Sequence, residues 1–163
     1  MKASTTTSEN FDDVIKSVMP KGLTFGHRVC FYSVALIATA FPLYLFYSKF
    51  FSVELSNYPV FIAVSLVCLV LLALSYEKLT NEEFGNVMER KRKYSENMDE
   101  KAGQNEAAAY AMFISNLLFE GMVVLLAFGI APRLNLNIPT YIMYAAVTLI
   151  SGLTTFGFSY GFF

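Results

Sequence analysis

The sequence predicts an all-α membrane protein whose four transmembrane helices form two antiparallel hairpins, with a helical cytosolic loop between the second and third. Three observations carry this expectation. Hydrophobic residues make up 55% of the 163 residues and charged ones only 15%, at a mean hydropathy of +0.48, more apolar surface than a soluble domain of this size can bury. The apolar residues come in continuous runs: a hydrocarbon core about 30 Å thick takes about 20 helical residues, and the chain supplies four segments of that order. Spanning strands would instead alternate over roughly ten residues. Finally, one charged island, Glu77 to Glu106, separates the two apolar pairs and holds six of the twelve Lys and Arg and eight of the thirteen acids. The chain divides accordingly into a head (1–28), a first hairpin (29–76), the island (77–106) and a second hairpin (107–163).

In chain order, the head is too polar, and the first apolar run too long and too late, for a cleaved signal peptide; the first membrane segment is expected to act as the targeting signal. Phe11, Val14, Ile15, Val18 and Met19 recur at helical spacing before Pro20-Lys21-Gly22, a short amphipathic helix. Lys16 is its only cation, so it docks either on a membrane surface or partner, or on the protein's own helices. Segment one, about Val29 to Phe51, carries Pro42, which removes a backbone donor and should kink it. Tyr44, Phe46, Tyr47, Phe50 and Phe51 at its far end read as an interfacial aromatic belt. After a short polar turn, Glu54 to Asn57, segment two runs from about Tyr58 to Tyr76.

Inside the island, Thr80-Asn81-Glu82-Glu83 has the pattern of a capping box, with acids early and Arg90 to Lys93 late, so a separate surface helix is expected over about Asn81–Tyr94. Phe84, Val87 and Met88 give it an apolar face, and Ser95 to Gln104 reads as a loop or a frayed second helix. Segment three, about Ala107 to Ala131, holds Asn116 and Glu120 one turn apart; segment four follows the turn Pro132 to Pro139. On it Tyr144, Thr148, Ser151 and Thr155 share one face. Head and island carry ten Lys and Arg against Lys49 and Arg133 in the two short turns; the positive-inside rule then puts both termini and the island in the cytosol.

Glu120 is the sharpest single residue, because a carboxylate at mid-bilayer costs about 2.5 to 3.5 kcal/mol on insertion scales. It reads either as a proton relay or cation site, or as a hydrogen-bonded group joining segment three to segment four or to a neighbouring subunit. Asn116, Tyr144, Thr148 and Ser151 stand ready for the second role, and at matched depth Thr148 and Ser151 reach the level of Glu120. No second intramembrane acid, Lys or Arg completes a relay, which favours helix packing. The run Arg90-Lys91-Arg92-Lys93 suits nucleic-acid phosphates or anionic lipid, or serves only to fix topology. Four successive cations splay through about 300 degrees of a helix, and the island's net charge is 6 − 8 = −2.

Nothing suggests catalysis or a cofactor: zinc-type Cys and His spacing, a phosphate-binding Gly loop and a nucleophile elbow are all missing. The lone His27 sits beside Arg28 at a membrane edge. Cys30 and Cys68 fall in apolar runs at depths about 10 Å apart, too far for a disulfide.

The order of features resembles the gamma subunit of the translocon-associated protein (TRAP) complex of the endoplasmic reticulum. The local matches are Thr39-Ala40-Phe41-Pro42-Leu43-Tyr44-Leu45, Ala73-Leu74-Ser75-Tyr76-Glu77-Lys78, Glu89-Arg90-Lys91-Arg92, Asn105-Glu106-Ala107 and Phe113-Ile114-Ser115-Asn116-Leu117-Leu118-Phe119. They cover most of the chain from about Cys30 onward. The island is shorter and less basic than in animal members, and Glu120 stands where that pattern leads one to expect an apolar residue. The resemblance implies a non-enzymatic, multi-pass subunit of the endoplasmic reticulum membrane beside the protein-conducting channel and other TRAP subunits. It also implies that Arg90, Lys91, Arg92 and Lys93 touch the translating ribosome, through RNA phosphates or an acidic protein patch. Two other classes compete: a small four-helix subunit of another membrane assembly, and an ion-coupled carrier centred on Glu120. Four short segments without an internal repeat make a poor carrier.

Overall fold

The structure is a computed structural model and describes residues 23, 25–50, 57–94, 100–130 and 138–161. The expected amphipathic helix at Phe11 to Met19, the turns 51–56 and 131–137, and residues 95–99 lie outside the described residues. Four long helices account for nearly everything else: α1 (Phe25–Phe50), α2 (Tyr58–Tyr94), α3 (Glu100–Val124) and α4 (Thr140–Ser159). All four are long and apolar enough to cross a membrane, the composition of a multi-pass membrane protein. The α3 helix ends in a π-helical turn, Leu125–Ile130.

Continuous apolar runs make these helices, and their interruptions are local. Pro42 sits inside α1 without ending it; the donor it removes is one hydrogen bond in a 26-residue helix. The largest difference from the sequence reading concerns α2. Its 37 residues run unbroken through Thr80-Asn81-Glu82-Glu83, where a new helix was expected to start. The Thr80 hydroxyl does not cap: it donates to the Tyr76 carbonyl at 2.6 Å, the back-bond of a mid-helix threonine. At 1.5 Å per residue α2 is about 55 Å long, far more than the roughly 30 Å of a hydrocarbon core. The α3 helix likewise begins at Glu100, seven residues before the segment read from apolarity alone, so 100–104 is the start of α3 rather than a loop or a frayed helix of its own.

Helix α2 is the hub and packs against each of the other three. Arg28 near the start of α1 meets Glu77, while Phe46 near its end and Phe61 near the start of α2 both pack against the Tyr144 ring, the first edge-on and the second tilted, so α1 and α2 run in opposite directions. Tyr76 meets Asn116 and Met88 lies beside Gly103, which sets α3 opposite to α2. Ser65 meets Tyr144, Cys68 meets Thr148, and Lys78 lies over the Tyr160 ring; α4 therefore runs parallel to α2. Gly152 makes that contact close: a Cβ there would sit 3.2 Å from the Cys68 Sγ.

Candidate functional site

Two places gather the polar side chains. The first is a two-helix stalk in which the charged end of α2 lies against the first turns of α3. Phe84, Val87 and Met88 from α2 and Ala107 from α3 form its own small apolar core, separate from that of the bundle. Around it the charges pair. Lys91 Nζ reaches Glu106 Oε2 at 3.1 Å and Arg90 comes within 3.9 Å of Glu106 Oε1; Lys93 bonds Glu89 at 2.9 Å and Lys78 bonds Glu82 at 2.7 Å, each one turn along α2. The four cations read from the sequence are thus placed differently. Lys91 turns inward with 28% of its side chain exposed, whereas Arg90 and Lys93 keep 63% and 66%; the Arg92 side chain lies outside the described residues. Splay around the helix divides the run into an inward cation that holds the stalk together and outward ones that solvent or a partner can reach.

At the base of the stalk, His27 Nε2 lies 2.9 Å from Asn105 Oδ1 and Arg28 bonds Glu77 at 3.5 Å, tying the start of α1 to α2 and α3. The sequence reading missed this collar. Its signal was available: an antiparallel α1 and α2 put Arg28 and Glu77 at one level, and an opposite-charge pair at an interface is the cheapest way to satisfy both. The buried Gln104 amide nitrogen in the stalk has no hydrogen-bond partner among the described residues.

The second place is a polar seam inside the bundle. The Tyr76 hydroxyl donates to Asn116 Oδ1, and the Tyr144 and Ser65 hydroxyls are 2.7 Å apart. Cys68 Sγ lies 3.4 Å from the Thr148 carbonyl. Tyr144, Thr148, Ser151 and Thr155 are all buried on one face of α4. That face, however, turns to α2 and to its own backbone: Ser151 donates to the Val147 carbonyl at 2.8 Å, Thr155 to the Ser151 carbonyl at 2.9 Å. Among the described residues the Thr148 hydroxyl finds no partner in hydrogen-bonding geometry. The expected link from Glu120 to Thr148 and Ser151 is therefore not made. Depth along a helix fixes height but not azimuth; Ser115, Phe119 and Val123 are the buried positions of α3, and Glu120 stands about 100 degrees around from Phe119. It is half-buried, within electrostatic reach of Tyr76, and no hydrogen bond or ion pair among the described residues reaches its carboxyl.

Chemically, the stalk can hold a rigid mosaic of charge and the seam can lock helices. Among the described residues no group of three or more His, Cys, Asp or Glu could hold a metal ion. Neither a scan against protein-family models nor a search of the curated proteins found a match.

Proposed function

We propose that this chain is a non-enzymatic subunit of the translocon-associated protein complex in the endoplasmic reticulum membrane. Its helices pair as two hairpins with both termini and the stalk in the cytosol, beside the protein-conducting channel, other TRAP subunits and membrane lipids. There the stalk contacts the translating ribosome and supports translocation and insertion of nascent chains. The observation that carries this reading is the length of α2: a 37-residue helix outlasts the bilayer by several turns, and α3 braces the excess, so Arg90 and Lys93 are presented on a stiff arm rather than a loose loop. A stiff arm loses little conformational freedom when it docks, and outward cations suit RNA phosphates or an acidic protein surface. The resemblance set out above supplies the compartment and the partners.

Neutralising Arg90, Lys91, Arg92 and Lys93 together in the tagged full-length chain should lower ribosome co-purification from native membranes and flatten its salt dependence. Unchanged recovery across a salt titration overturns ribosome contact. A second reading has its own observation. Lys91 and Arg90 converge on Glu106, charges spent within the stalk, which suits a structural subunit of another membrane assembly binding a cytosolic protein. Mild-detergent isolation separates the two: ribosomes and channel subunits in the eluate support the first, and neither supports the second.

A further inference from the structure

The outward face of α3 combines features that lipid alone does not suit. Tyr110, Phe113, Leu117 and Val124 are 46%, 65%, 59% and 42% exposed, and their spacing of three, four and seven residues lines them along one side of the helix. Glu120 falls within the same sector, about 20 degrees from Phe113 and 40 degrees from Val124. Acyl chains satisfy the apolar members of this face but not a carboxyl. Within the chain the polar groups of α3 and α4 bond elsewhere or not at all: Asn116, one turn away, takes the Tyr76 hydroxyl on Oδ1, Tyr144 meets Ser65 of α2, Ser151 donates to its own helix, and among the described residues the Thr148 hydroxyl bonds nothing. Carboxylates inside a membrane are tolerated when they pair.

We infer that this face of α3 docks a transmembrane helix of a neighbouring subunit, one that carries a Lys or Arg at the depth of Glu120. Phe113, Leu117 and Val124 give the apolar contact, and the carboxylate fixes register and partner, since a helix without the cation would leave a bare charge in the interface. The inference rests on the chain being a subunit of a membrane assembly, and not on ribosome contact.

The test places a photo-activatable benzophenone amino acid at Leu117 in the tagged full-length chain, in native membranes, with and without Glu120→Gln. The expected result is an adduct that mass spectrometry maps to a membrane helix bearing Lys or Arg, with its yield falling roughly tenfold in Glu120→Gln and largely retained in Glu120→Asp. Exchanging the two charges between the chains should restore it. Adducts with lipid alone, with a second copy of this chain, or with a helix lacking a cation overturn the inference, as does a yield indifferent to Glu120→Gln. Ribosome co-purification in the same membranes tests the stalk independently, so failure of one reading is distinguishable from failure of the other.

Discussion

Helix α2 changes its pattern of exposure along its length. In its first half, Ile62, Leu66, Val67 and Val70 are 58%, 57%, 50% and 47% exposed, while Cys68 and Ser75 are fully buried. In its second half Phe84 and Val87 are 5% and 1% exposed and Glu89 and Arg90 face outward. Lipid makes an exposed leucine costless and sends polar groups inward to find partners; water does the reverse. The switch falls between Tyr76, whose hydroxyl is spent on Asn116, and Lys78, which is paired with Glu82. One continuous helix carries both patterns, so the stalk inherits its direction from the bundle.

That continuity is the first thing to break. Asn81→Pro changes an exposed residue, so packing is hardly touched. If α2 runs through, the ring clashes with the preceding turn and a hydrogen bond is lost, at about 3 kcal/mol. Hydrogen exchange over 81–94 in the full-length chain should then rise sharply while the membrane-embedded part stays protected. Unchanged protection would mean that a new helix starts at Thr80, because the first helical position tolerates proline.

The next largest effect compares a glycine of the bundle with one of the stalk. Gly152→Val puts new carbons beside Cys68 Sγ at 3.2 Å and Leu71 Cδ1 at 3.5 Å, where α4 crosses α2, and should cost about 1 to 3 kcal/mol in thermal stability of the detergent-purified protein. Gly103→Ala approaches Met88 Sδ at 2.8 Å, the far end of a flexible side chain. That small clash is offset by the higher helix propensity of alanine, up to about 1 kcal/mol, so the net change should lie near zero. Equal losses at both sites would mean that the stalk is packed as tightly as the bundle.

These sites also mark how far the sequence could be read. Apolar run length gives four helices, because a bilayer filters for it, and the shared face of Tyr144, Thr148, Ser151 and Thr155 follows from helical spacing. What faces that side does not follow: periodicity gives each helix a face but not a neighbour, and α4 chose α2 over Glu120. The Thr80-Glu83 pattern misled for a different reason. A capping box stabilises a helix start only where the preceding residues leave the helix, and Tyr76 to Leu79 do not. The Arg90 to Lys93 run was visible as charge, but which cation turns inward depends on where α3 lies.

The smallest effect probes that last point. Glu106→Gln removes the acid shared by Arg90 and Lys91; Glu106 and Arg90 are 50% and 63% exposed, so solvent screens the pair and the loss should be no more than about 0.5 kcal/mol. It should appear as slightly faster hydrogen exchange at the stalk at low salt and vanish at high salt. The same substitution releases two cations toward solvent, so ribosome co-purification at low salt should rise rather than fall if those cations meet phosphate. A stalk loosened with no gain in binding would place Arg90 and Lys91 among the groups that hold α2 to α3 and would leave Lys93 as the outward charge to examine.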